Sequence, residues 1–290
     1  MKRRSFLGAI GCVSVIAHPA YAANGVPRKP SEPKSARRSR RVGIALSGGS
    51  IHGLAHVGVL KAFAEKGLAF QYIAGTSAGA IVGALEAARL LPREMEMILR
   101  RIEWPGVTSL SWSGKGLMQH AKLRSLIDSA LGDRRIEQLP IAFGAIATDV
   151  ATGERVILRT GATGTAVSAS ASIPVLFEPV KIEGRDLVDG GLTEPVPVVA
   201  VREMGADFVI GVDVAFRPDE DRFQGLTGIA FQTMHIMGNA LIREQLPRAD
   251  IAIRMNLHPL IGMENSHEQL ISAGYAETMR VWPRLAAALA

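Results

Sequence analysis

The reading of this chain turns on one stretch, Tyr72-Ile73-Ala74-Gly75-Thr76-Ser77-Ala78-Gly79, followed by Ala80–Ala88. Tyr72–Ala74 is a short apolar run of strand type, and Ala80–Ala88 has the composition of a buried helix. A Gly-x-Ser-x-Gly set between strand and helix makes a strained turn that lifts the serine hydroxyl out of the sheet, and the small neighbours Gly75, Thr76, Ala78 and Gly79 leave it room. The hydroxyl then stands at a helix N-terminus, where backbone N–H groups favour developing negative charge. Ser77 is therefore the candidate nucleophile; the plainer alternative is a serine that only caps a helix.

Outward from this turn, β-rich runs alternate with helical patterns, the signature of a mostly parallel sheet covered by helices on both faces. Strands are expected near Val42–Leu46, Tyr72–Gly75, Ile141–Ala147, Arg155–Leu158, Phe208–Val212 and Ile251–Met255. Several are continuous apolar runs, as strands buried on both faces are. Helices are expected near His52–Glu65, Ala78–Ala88, Arg93–Ile102, Lys122–Leu131, Pro197–Met204, Gly225–Arg243 and His267–Leu289. One domain over 42–290 accounts for all of them. Trp104–Gln119 carries Pro105, Gly106, Gly114 and Gly116 without a period, so it reads as a surface excursion. Trp104, Leu110 and Trp112 would suit a lid as well as a loop packed on the core.

Two further motifs flank the strands. Ser47-Gly48-Gly49-Ser50-Ile51-His52-Gly53 follows the first strand and opens the next helix. A Gly-rich turn of this kind presents N–H groups to a phosphate or to the oxyanion of an acyl-transfer intermediate. Ser50 stands where the dinucleotide fingerprint needs its second glycine, and no Lys-Ser or Lys-Thr follows as in a P-loop, so the oxyanion role is favoured over the phosphate. Asp189-Gly190-Gly191 is by itself a turn signal. Beside the other two motifs it offers a carboxylate base.

In this order, the three motifs resemble the patatin-like phospholipase family, and in particular its bacterial branch. The similarity runs from about Val42 to Val214 and includes Gly53-Leu54-Ala55-His56-Val57-Gly58-Val59-Leu60, Ala147-Thr148-Asp149, Ser170-Ala171-Ser172-Ile173-Pro174 and Val188–Pro197. The resemblance implies a three-layer α/β sandwich and a Ser77–Asp189 catalytic pair with no histidine. It implies oxyanion donors in Gly48, Gly49 and Ser50, within a turn completed by His52 and Gly53, with Gly190 and Gly191 completing the base motif. The implied substrate is a lipid or other acyl ester. Two residues depart from the family pattern. Ser50 replaces a third glycine and His52 replaces a basic residue, and a neutral imidazole holds less positive charge near an oxyanion than a guanidinium does.

The physical case for a pair is that a hydroxyl is a weak nucleophile until a base takes its proton, which a desolvated carboxylate can do directly. The rival is a Ser-Asp-His triad using His235, His258 or His267. A catalytically weak lipid-binding protein on the same fold is a third reading, raised by His52. His52 and His56 have metal-pair spacing, but no Glu lies between them. No calcium-loop ligand cluster is present, and the mechanism calls for neither metal nor cofactor.

The formal charge of +6 does not point to nucleic acid, because the positive residues are concentrated at the start. Arg28 to Arg41 holds seven basic residues against Glu32 alone, and from Val42 onward 23 basic residues face 26 acidic ones. The leader, residues 23–41, reads as a disordered tether, solvated or touching an anionic membrane surface. Before it, Lys2-Arg3-Arg4, an apolar run from Phe6 to Ala17 and Ala20-Tyr21-Ala22 read as an export signal over 1–22, either twin-arginine-like or ordinary secretory, with a periplasmic or secreted product. Cys12, the only cysteine, lies inside it; a lipoprotein cut before Cys12 would leave a short apolar run.

Overall fold

The computed structural model describes residues 40–102, 116–217, 225–260 and 266–290. The expected export signal, nearly all of the basic leader and most of the Trp104–Gln119 excursion, with Trp104, Leu110 and Trp112, lie outside the described residues. The last two residues of the leader are described. Arg41 makes a bidentate pair with Asp207, and the Arg40 guanidinium lies over the Phe208 ring.

Eight strands form one sheet: β1 (Val42–Leu46), β2 (Tyr72–Thr76), β3 (Ala142–Asp149), β4 (Arg155–Leu158), β5 (Val180–Ile182), β6 (Arg185–Asp189), β7 (Phe208–Asp213) and β8 (Ile251–Arg254). The helices are α1 (Leu54–Glu65), α2 (Ala78–Ala87), α3 (Pro92–Leu99), α4 (Gly116–Leu131), α5 (Thr163–Ser170), α6 (Val198–Met204), α7 (Gly225–Gln245) and α8 (Ser266–Leu289). Strands β3-β2-β1-β7-β8 run parallel; β4 and β6 pair antiparallel with β3, and β5 antiparallel with β6, so the sheet is mixed.

The two faces of the sheet follow from period-two alternation. On β1, Ile44 and Leu46 enter the larger core with Phe63 of α1, Leu85 of α2, Met95 of α3 and Leu270 of α8. Ala45, Ala74 and Val209 enter the other, with Val198 and Val201 of α6 and Ile242 of α7. Helices thus cover both faces, giving three layers. Helices α1 and α8 cross at backbone contact, since a Cβ on Gly58 would strike the Ile271 carbonyl and one on Gly274 the Ala55 carbonyl.

Three elements were not expected from the sequence. Helix α5 is Thr-Gly-Thr-Ala-Val-Ser-Ala-Ser, weak in helix propensity, and tertiary contacts hold it: the Gly164 N–H donates to Asp128 Oδ1 at 2.9 Å and the Thr163 hydroxyl to the Arg134 carbonyl at 2.7 Å. Strands β5 and β6 are too short to show a period. Their signal is the hairpin turn Glu183-Gly184, both at positive φ (51° and 79°).

Register on β3 places the site. Gly75 and Thr76 at the end of β2 oppose Ala145 and Ile146, and β4 occupies the other edge of β3 from Ala145 to Thr148. Strand β3 outruns β2, and β6 pairs with the overhang, setting Asp189 opposite Ala147. Strands β2 and β6 therefore meet end to end along one edge of β3.

Candidate active site

The elbow forms where β2 stops. Ser77 sits at φ 53°, ψ −121°, a conformation that costs on the order of 1–3 kcal/mol for a residue with a Cβ. Its flanks allow no side chain, because a Cβ on Gly75 would strike the Gly79 carbonyl and one on Gly79 the Leu46 carbonyl. The Thr76 hydroxyl donates to the Glu194 carbonyl at 2.7 Å, and the Ser77 N–H donates to the Ser170 hydroxyl at 3.0 Å. Ala78 opens α2, with its methyl against Gly53.

Asp189 ends β6 as the cap of the 3-10 turn Gly190–Leu192, with the Gly191 N–H donating to Oδ1 at 2.7 Å. A Cβ on Gly190 would strike the Ile146 carbonyl, so this glycine is needed to bring the turn against β3. The Asp189 N–H donates to the Ser172 carbonyl at 2.9 Å, and the Asp189 carbonyl accepts the Thr148 hydroxyl at 3.0 Å. The Ser77 side chain lies near enough to the carboxylate to favour its ionised form. Ser77 and Asp189 are each only 7% exposed. Burial pushes the Asp189 carboxyl up from 3.8 to about 6, against the lowering by Ser77 and the Gly191 N–H.

The glycine turn lies beside the nucleophile: a Cβ on Gly48 would stand 3.3 Å from Ser77 Cβ. The Gly48 N–H, however, donates to the Pro195 carbonyl at 3.2 Å. Gly48 thus anchors the turn through its N–H. The Gly49 N–H has no hydrogen-bond partner among the described residues. Ser50 takes a positive φ of 48°, the left-handed region that favours glycine, so its place in the turn rests on backbone geometry.

His52 is held between a backbone carbonyl and an aromatic ring. Its Nδ1 lies 3.0 Å from the Val214 carbonyl, and its ring stacks on Phe216 at 4.0 Å, with His235 stacking on that same phenyl ring at 5.5 Å. His56 Nε2 lies 2.9 Å from the Ser47 carbonyl, and burial pushes this imidazole down to about 4, leaving it neutral. The two rings are held by different carbonyls. Of the rival bases, His235 is in the Phe216 stack, where burial lowers its pKa. His267 lies in the first turn of α8, and the side chain of His258 lies outside the described residues. Among the described residues no histidine shares in the hydrogen bonds of the Asp189 carboxylate.

Sequence reasoning missed the residues that hold these loops together. The buried Glu194 side chain accepts N–H bonds from Val199 and Ala200 at the start of α6 and pairs with Arg155 at 2.7 Å. Its own carbonyl receives Thr76, and the next carbonyl, of Pro195, receives Gly48. Ser170 was visible as part of Ser-Ala-Ser-Ile-Pro, but its contact with Ser77 depends on the unexpected α5.

Comparison with known proteins gives the family and the fold. The chain is 35% identical over 184 residues to an uncharacterized NTE family protein of Mycobacterium tuberculosis, covering 61% of this chain and 49% of that protein. It is 32% identical over 192 residues to patatin-like phospholipase domain-containing protein 7 of Rattus norvegicus, covering 62% and 14%. Lysophospholipase NTE1 of Saccharomyces cerevisiae is 30% identical over 184 residues, covering 61% and 11%. The match thus spans about half the length of the mycobacterial relative and far less of the eukaryotic ones. In fold, the chain resembles VipD from Legionella pneumophila at a TM-score of 0.54, with 14% identity, covering 85% of this chain and 67% of that one. The family model for patatin-like phospholipase matches residues 44–202, more than half of the chain and the whole run from glycine turn to α6, so the chain belongs to the patatin-like phospholipase family.

Proposed function

We propose that the chain is a serine hydrolase that cleaves acyl esters of lipids, of phospholipid or lysophospholipid type, with Ser77 as nucleophile and Asp189 as its base. The observation that carries this reading is a strained elbow serine and a buried carboxylate brought together at the facing ends of β2 and β6. The Ser77 oxygen attacks the ester carbonyl carbon while Asp189 takes the hydroxyl proton. The Gly49 N–H, the turn at Ser50 and the first N–H groups of α2 surround the oxygen that becomes negative. When the carbonyl re-forms, the alcohol leaves with the proton from Asp189. Water then attacks the acyl-Ser77 ester, Asp189 takes its proton, and the fatty acid departs as Ser77 recovers its hydrogen.

The lipid class is supported by the family and by the lysophospholipase among the relatives. Fluorophosphonate labelling tests the nucleophile. Wild type should be labelled and Ser77→Ala should not; label retained in Ser77→Ala rules the assignment out. Fatty-acid release from phosphatidylcholine, lysophosphatidylcholine and a short-chain ester, run side by side, tests the substrate class. Export is part of the same proposal, and N-terminal sequencing of the secreted protein should show a cut after Ala22.

A further inference from the structure

We infer that Ser170 is a positioning residue for the Ser77–Asp189 pair, its hydroxyl holding the elbow in the strained conformation from which the Ser77 side chain reaches the carboxylate. The inference rests on the dyad proposed above and adds a residue to it.

Ser77 precedes the first turn of α2, so its N–H has no carbonyl within that helix to receive it. The acceptor comes from outside, as Ser170 Oγ at 3.0 Å, and Ser170 is fully buried at the C-terminal end of α5. Two residues on, the Ser172 carbonyl accepts the N–H of Asp189 at 2.9 Å. The Ser172 hydroxyl donates back to the Ser168 carbonyl at 2.8 Å, closing the turn between the two grips. One short segment thus holds the main chain of both members of the pair, which approach it from distant parts of the sequence.

The energies make this grip matter. A buried N–H left unpaired is destabilising, and the elbow already stores backbone strain. Without the Ser170 hydroxyl, both terms favour relaxation of Ser77 toward an ordinary conformation, away from Asp189. A misplacement of about 1 Å at a reacting atom can cost on the order of a hundredfold in rate.

The test uses the full chain as wild type, Ser170→Ala and Ser168→Ala. Ser168 lies in the same helix, and its buried hydroxyl has no partner among the described residues, so its alanine variant removes a similar volume without a bond. We expect Ser170→Ala to lose about 10- to 100-fold in kcat with KM within about threefold. The acid limb of kcat/KM should move to higher pH, because the nearby Ser77 side chain is one of the groups holding Asp189 down. Amide exchange at Ser77 should accelerate at least about tenfold, while Ser168→Ala keeps all three readouts. Wild-type kcat and pH profile in Ser170→Ala, or an equal loss in Ser168→Ala, overturns the inference. If the alanine variant does not fold, Ser170→Cys fills the same space with a weaker acceptor. A kcat below about a third of wild type then supports the grip, and full kcat overturns it. Fluorophosphonate labelling at Ser77 separates the two proposals: wild-type labelling with an unaffected Ser170→Ala removes this one alone, and failure to label wild type removes the dyad with it.

Discussion

Asp189 is brought to Ser77 although more than a hundred residues separate them, because β6 pairs with β3 on the edge that β2 has just left. Asp189 opposes Ala147, one step past the Ile146 that opposes Thr76, so the two strand ends face each other. The carboxylate is dry, with one oxygen bonded to the Gly191 N–H.

Asp189→Asn keeps the shape of the site and removes the base. The loss of proton transfer should lower kcat by about a hundredfold to ten-thousandfold. Burial raises the folded-state pKa above the ordinary 3.8, so the folded protein binds this proton more tightly than the unfolded chain. The stabilisation is complete below about pH 4 and is lost as pH rises through about 6. At pH 8 the asparagine variant escapes that penalty and should be more stable than wild type by about 1–3 kcal/mol in urea unfolding, with the difference gone by pH 4. A variant both inactive and less stable at pH 8 would show that the carboxylate is structurally required.

The same titration shapes the rate. Deprotonated Asp189 is the active form, so kcat/KM should fall about tenfold per pH unit below a midpoint near 6. A midpoint near 4 would mean that the carboxylate is solvated when the enzyme works.

Ser50 tests whether the glycine turn acts through its backbone. Ser50→Gly suits the positive φ and should keep activity, with stability within about 1 kcal/mol of wild type. Ser50→Val places a β-branched side chain in the same conformation and should lose about 2 kcal/mol or more and most of kcat. Full activity in Ser50→Val would mean that this turn can change shape without affecting the oxyanion.

Glu194 is a buried carboxylate, 2% exposed, with Arg155 on one oxygen and two helix N–H groups on the other. Glu194→Ala leaves the first N–H groups of α6 without their acceptor and Arg155 with Glu203 as its partner, and should cost about 1–3 kcal/mol in chemical denaturation. Because its main chain also ties Thr76, surviving folded protein should show reduced kcat with a small change in KM. Glu194→Gln, which keeps an acceptor for α6, should lose clearly less.

The sequence by itself determined the α/β class, the elbow at Ser77, the Gly-rich turn and the Asp-Gly-Gly motif, because each is written in contiguous residues whose backbone demands are local. Continuous apolar runs identify buried strands, and a glycine on either side of Ser77 identifies a turn too tight for side chains. Long-range contacts make Gly48 an anchor, stack His52 on Phe216, and tie Ser170 and Glu194 to the Thr76-Ser77 elbow. The antiparallel pairing of β6 with β3, which makes the sheet mixed, carries Asp189 to Ser77. These facts depend on strand order and on hydrogen bonds between residues far apart in the chain. Periodicity and spacing describe neighbours along the backbone, and the edge of β3 that β6 joins is not encoded in either.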